Sequence, residues 1–284
     1  MLPVKKIYVD SKYKTDDSVS DSDFKFQLSQ TCYMPDDTKF YISDVCIPHT
    51  WNSINEFNSK LYLRIDYTGG SLVGQKYDCV LDLDQKSYIG TTFATMLKSK
   101  IQEKLTTEYS GNIVCTFNST TNKLSLTLHV DIEWQFLTDK ELLDPQNLTA
   151  GNFDWTGASY DKNNLKSANA VISNTQSTST VNDSNLHVFN KHLNLQPIRN
   201  IYLHSPNLGN FQTLGAKGEQ TIIKKIPVSS NQGDMIFSDY TGSGFDMLDC
   251  SKQTLRQIEF RLTNVDGIEI PFHDNHVSFS IVFN

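Results

Sequence analysis

The sequence lacks most of the short signatures that announce chemistry. Its 284 residues contain no GxSxG elbow, P-loop, GxGxxG fingerprint or HExxH pair. The usual devices for presenting a serine nucleophile, cradling a phosphate or seating a catalytic zinc are therefore absent. Cys32, Cys46, Cys79, Cys115 and Cys250 are an odd number with no CxxC spacing. Together with a start, Met1-Leu2-Pro3-Val4-Lys5-Lys6, that has no apolar signal region, they lead us to expect reduced, mostly buried thiols in a protein made inside the cell. Without export, the glycosylation sequons at Asn118, Asn147 and Asn182 carry little meaning. No apolar run approaches the roughly 20 residues of a membrane span; Ser280–Phe283 is of strand length. Positive charge is also short, with 25 Lys and Arg against 32 Asp and Glu and a net charge of −7. That balance disfavours wrapping of DNA, which needs many cations to displace counterions.

What is present favours strands. Ser, Thr, Asn and Asp are abundant, Ala is scarce, and there are 12 Tyr and 16 Phe. Short alternating runs separated by polar turns predict an all-β sandwich or barrel. The clearest are Lys6–Val9, Asp23–Leu28, Lys39–Ile47, Leu61–Tyr67, Tyr77–Leu83, Asn200–His204, Thr221–Ile226, Met235–Ser238, Gln257–Thr263 and Val277–Phe283. A hairpin is expected over 112–128, turning at Asn118–Asn122, and a further turn at Asp266-Gly267. Phe93, Leu97, Ile101 and Leu105 recur every four residues and predict a helix over 91–109. A shorter helix is expected at Asp139–Leu143. The stretch 158–185 is polar and nearly free of large apolar side chains, so a long mobile loop is expected there.

These elements divide the chain into strand-rich segments 1–60 and 196–284, separated by 61–195. The economical reading is one sandwich domain interrupted by an inserted β-α-β-β module. Such insertions are tolerated because loop-closure cost grows slowly with length.

Candidate chemistry is thin, and each candidate has a plain alternative. Asp82 and Asp84 alternate, with Asp78 nearby, as an acid/base pair or weak calcium site would require; the alternative is the wet face of an edge strand. Asp131 and Glu133 read the same way. His273/His276 and Cys46/His49 have metal-ligand spacing, but neither pair has a second half. Gly242-Ser243-Gly244 reads as a flexible turn. Lys5, Lys6, Lys12 and Lys14, interleaved with Tyr8 and Tyr13, are open to three readings: nucleic-acid contact, an arm docking on a neighbouring protein, or a solvated segment. Trp51, Trp134 and Trp155 are either sugar-stacking platforms or core and interface anchors.

Three stretches carry a resemblance. The first is Ile7-Tyr8-Val9-Asp10-Ser11 with Ser22-Asp23-Phe24 and Tyr41-Ile42-Ser43-Asp44-Val45-Cys46-Ile47-Pro48. The second is Tyr202-Leu203-His204-Ser205-Pro206-Asn207-Leu208 with Ile222-Ile223-Lys224-Lys225-Ile226-Pro227-Val228. The third is Leu248-Asp249-Cys250-Ser251 with Leu255 to Leu262 and Val277-Ser278-Phe279-Ser280-Ile281. Together they resemble the penton (minor capsid) proteins of Polinton/Maverick elements and of virophage-like and adintovirus-like viruses. The resemblance implies a single jelly roll standing upright in a capsid. Five copies would surround each vertex of an icosahedral particle built mainly from a double-jelly-roll major capsid protein. It further implies a structural protein of the virion, neither an enzyme nor dependent on a metal or cofactor. Lys5, Lys6, Lys12 and Lys14 would tether it to neighbouring capsomers. Trp51 and Trp155 would serve an interface or a host receptor. A carbohydrate- or receptor-binding β-sandwich is the alternative function.

Overall fold

The computed structural model describes residues 4–144, 165–174, 186–189, 191–209, 211–238 and 247–284. It divides into two compact units, Met1–Trp51 with Ile198–Asn284, and Asn52–Pro197.

The first unit holds two antiparallel sheets. Sheet I has the order β1 (Lys6–Asp10), β15 (Ser278–Phe283), β3 (Lys39–Pro48), β12 (Met235–Ser238), and the short β13 (Leu248–Asp249) also pairs with β3. Sheet II has the order β11 (Ile222–Pro227), β10 (Asn200–His204), β14 (Thr254–Thr263), β2 (Asp23–Tyr33). Numbered by chain order within this unit, with β13 left aside, the sheets run 1-8-3-6 and 5-4-7-2. This is the jelly-roll order, in which successive strands cross between the sheets except at the hairpin-like step from β10 to β11. β12 and β13 pair with successive parts of the same edge of β3, residues 45–48 and 39–40.

The core follows the alternation of the strands. Phe40 and Ile42, then Val45 and Ile47, face inward along β3. The three-residue step between Ile42 and Val45 matches a register shift opposite Ser278–Ser280 and the left-handed Asp44, with φ of 50°. A bulge here returns the apolar set to the core after the extra residue. Phe260 of β14 sits 5.5 Å from Phe24 and 4.9 Å, edge-on, from Phe279. It thus couples the two sheets, and burial of each such ring contributes about 2–3 kcal/mol.

The second unit is built on two three-stranded sheets. One is β5 (Lys76–Asp82), β4 (Lys60–Tyr67), β8 (Ile132–Phe136); the other is β6 (Val114–Asn118), β7 (Lys123–Thr127), β9 (Leu186–Val188). The expected helix is two pieces, α1 (Gly90–Gln102) and α2 (Thr107–Ser110). Thr106 between them is extended, yet Leu105 and Tyr109 stay buried. The apolar spacing was legible, but the backbone break was not. Gly90 is required at its position, because a Cβ there would lie 2.4 Å from the Phe117 ring. The expected hairpin is β6–β7, with the Asn118 side chain accepting from the Thr120 and Thr121 N–H groups at 2.9 and 3.1 Å. α3 (Asp139–Leu142) starts with a capping box, the Thr138 N–H donating to Glu141 at 2.8 Å.

Within the polar stretch 158–185, the described residues 165–174 are an ordered segment and not the expected mobile loop. Residues 165–174 contain α4 (Asn169–Ile172), with Leu165, Ala168, Val171 and Ile172 buried. Asn169 and Asn174 donate to the carbonyls of Leu137 and Phe136 at 2.8 and 2.9 Å. These asparagine-to-backbone bonds add to the apolar anchoring by Leu165, Val171 and Ile172. The remainder of the stretch lies outside the described residues.

Candidate interaction surface

The structure disperses the candidate catalytic and metal groups. Asp78 is buried against Arg64 in a two-pronged ion pair, both contacts at 2.9 Å, between neighbouring positions of β5 and β4. This pairing holds the guanidinium above its usual pKa. Asp82 faces Lys60 at 3.6 Å, and Asp84, beyond the end of β5, is held by Lys100 at 2.8 Å. Asp84 also lies 3.8 Å from Lys86, so the three carboxylates pair with separate cations and do not converge. His273 and Asp274 occupy left-handed turn positions, and His276 lies 3.4 Å from Asp21. His49 contacts the Ser230 carbonyl at 3.0 Å and stacks 4.2 Å from Trp51. Among the described residues no group of three or more His, Cys, Asp or Glu could hold a metal ion. Burial pushes the thiols of Cys79, Cys115 and Cys250 up to about 12, which keeps them protonated and inert. No described helix is long and apolar enough to cross a membrane. Gly242-Ser243-Gly244, Asn147 and Asn182 lie outside the described residues.

Two surface expectations change. Trp51 is 1% exposed and packs edge-on against Phe272 at 6.5 Å. It is a core residue of the sandwich, not an interface or receptor anchor, because the chain leaving β3 turns it inward. Trp155 lies outside the described residues. The lysine-bearing segment is a strand and a turn, not a free arm. Ile7 and Val9 of β1 point into the core, and Lys6 and Lys14 donate to Asp44 and Asp21, each at 2.6 Å. The hydrogen bond from Lys6 lowers the Asp44 pKa, and Asp44 raises that of Lys6. Lys5 and Lys12 are exposed.

The two outer faces of the sandwich differ. On sheet II, Lys25 pairs with Asp17 at 2.7 Å, and Arg261 lies between Asp23 at 3.8 Å and Glu269 at 3.5 Å. His204 contacts the hydroxyls of Thr221 and Thr263 at 3.1 and 3.0 Å. Sheet I is less charged and more aromatic. Tyr8 is 72% exposed with the Lys6 ammonium 5.0 Å from its ring, and Phe237 of β12 is 69% exposed. A groove of about 430 Å³ beside β1 is lined by Tyr8, Asp10, Tyr13, Phe26 and Asp44, among others. Sequence reasoning passed over Phe237. Its signal is the run Met235-Ile236-Phe237, apolar on both sides of a short strand when one side suffices for the core.

No family model matches the chain, and no curated protein matches it. Among solved structures, the crystal structure of the selenomethionine-labelled mavirus penton protein is similar to it over 99% of both chains, with a TM-score of 0.52 and 11% sequence identity. At that identity the likeness establishes the fold, a single jelly roll carrying an insertion.

Proposed function

We propose that this chain is a structural capsid protein that forms the pentameric vertex of an icosahedral virus-like particle. The observation that carries the reading is full-length likeness to a penton protein, joined to a strand order that is jelly-roll in both sheets. The physics of the role is assembly without chemistry. Each copy presents one surface to the next copy and a different surface to the one before, so the contacts are heterologous and close into a ring. Each contact should bury on the order of 800 Å² per partner, or more for a permanent shell. The surrounding shell would be a double-jelly-roll major capsid protein, and the protein's place would be the virion. The insertion is the part available for a host receptor.

In this reading Lys5 and Lys12 carry the tether to neighbouring capsomers, since Lys6 and Lys14 are already paired within the unit. Deleting residues 1–14 would remove β1, so charge reversal of Lys5 and Lys12 is the sharper test. Particle assembly at wild-type yield in that double variant would dismiss the tether. The vertex itself is tested by mass and by imaging. Light scattering should give about 161 kDa, five copies of 32.2 kDa, and particles should carry the protein only at fivefold positions. Particles carrying it elsewhere, or a protein that stays monomeric both alone and with the major capsid protein, would reject the reading.

A further inference from the structure

Resting on that reading, we propose that β1 and β12 are complementary edges, and that β1 of one copy extends sheet I by pairing with β12 of the next. The occupant of each edge is thus a second copy of this chain.

The hydrogen-bond register determines which backbone groups are available. Between β1 and β15 the bonded positions include Lys5 with Phe283 and Ser11 with Val277. Bonded positions alternate along an antiparallel pair, so Ile7 and Val9 face β15 while Lys6, Tyr8 and Asp10 aim their N–H and C=O groups outward. Between β12 and β3 the bonded position is Asp234 with His49. The same alternation turns the backbone of Met235 and Phe237 outward. Among the described residues no strand lies beyond β1 or β12.

Sheet II shows what a closed edge looks like in the same domain. Along β2, the Thr15 N–H donates to the Lys25 carbonyl at 2.9 Å, the Lys25 N–H donates to Ser18 Oγ at 3.0 Å, and the Val19 and Ser20 N–H groups donate to the Asp23 carbonyl. β11 carries Lys224, Lys225 and Pro227, and its Ile222 carbonyl accepts from the Thr213 hydroxyl at 2.7 Å. Covering loops, lysines and proline are the ordinary defences of a strand edge. Among the described residues sheet I has little of this. Its edge charges are engaged, Lys6 with Asp44 and Asp10 with the Lys12 N–H at 2.9 Å.

Direction and side chains agree with edge-to-edge joining. Sheet I is antiparallel throughout along β1-β15-β3-β12, so its two outermost strands run oppositely. A head-to-tail neighbour therefore meets β1 in the antiparallel sense, with the better hydrogen-bond geometry. Tyr8 and Phe237 both stand on the outer face, since Val9 and Ile236 face the core. A register with Tyr8 opposite Phe237 makes a cross-strand aromatic pair, and the groove beside Tyr8 has room for the incoming ring. Each copy supplies one edge of each kind, which is the requirement of a closing heterologous ring.

The test uses proline where only the outward N–H is lost. Tyr8→Pro and Phe237→Pro leave the ladders to β15 and β3 intact and remove the donor aimed at the neighbour. The expected result is a wild-type ring near 161 kDa and variants at 32.2 kDa that still unfold cooperatively. If a proline variant fails to fold, amide exchange of the wild-type protein decides. The N–H groups of Tyr8 and Phe237 should exchange slowly in the ring and quickly in the diluted monomer. Rings formed by both variants, or fast exchange at both amides within the ring, would overturn edge pairing and leave the vertex reading standing. A wild type that is monomeric alone and with the major capsid protein would sink the vertex reading, and the edge pairing with it.

Discussion

In sheet II the outermost strand β2 has its free side occupied by residues 15–20, and the opposite strand β11 is guarded by two lysines and a proline. In sheet I the outermost strands are five and four residues long, bear Tyr8, Met235 and Phe237, and have nothing described beyond them. Both sheets share one core, and Phe260 touches partners in each. Their difference therefore lies outside the folding of the domain. Edges are closed where a strand would otherwise recruit the wrong partner, and the proposed docking of the next copy falls where, among the described residues, the edge is open beside exposed aromatics.

Four measurements strain this comparison, in descending size of effect. Phe260→Ala empties the point where the sheets meet, and thermal unfolding should show a loss of about 3–5 kcal/mol; a loss below about 1 kcal/mol would mean the sheets are coupled elsewhere. Second, burial lowers the pKa of both His49 and His204. The unfolded chain then takes up protons, from about pH 6.5 downward, that the folded unit resists. Stability is therefore fully present above that pH and falls as the pH drops toward the lowered folded values. Unfolding midpoints across pH 5–8 check this; burial lowers the His187 pKa in the second unit as well, and His204→Gln should flatten the slope by its own share alone. Third, replacing Lys224 and Lys225 with valine should strip the guard from β11. Stability should change by about 0.5 kcal/mol or less, while light scattering should show new self-association of a normally folded chain. Fourth, Phe237→Ser should change monomer stability least, again within about 0.5 kcal/mol, yet weaken ring formation. A Phe237→Ser protein that assembles like wild type would erase the distinction between the two sheets.

Much of the fold was legible because it rests on local periodicity. The alternation in Lys39–Ile47 and Gln257–Thr263, the Asn118–Asn122 hairpin and the four-residue spacing from Phe93 to Leu105 each specify an element without reference to its neighbours. The candidate surface was less legible. Trp51 read as an anchor because a large aromatic at a strand end is ambiguous until its surroundings are known. Asp78, Asp82 and Asp84 read as a cluster because spacing cannot show that Arg64, Lys60 and Lys100 divide them. Residues 165–174 read as loop because the bonds from Asn169 and Asn174 span more than 30 residues of chain.

By itself the sequence determined the strand-rich class, the apolar spacing from Phe93 to Leu105 and the lack of the common catalytic motifs, all of which depend on residue type and short-range spacing. Tertiary structure alone decided which strands lie outermost and which of their backbone groups are left over. Those depend on pairing between segments as far apart as β1 and β15, and a hydrogen bond across such a distance leaves no mark in local composition.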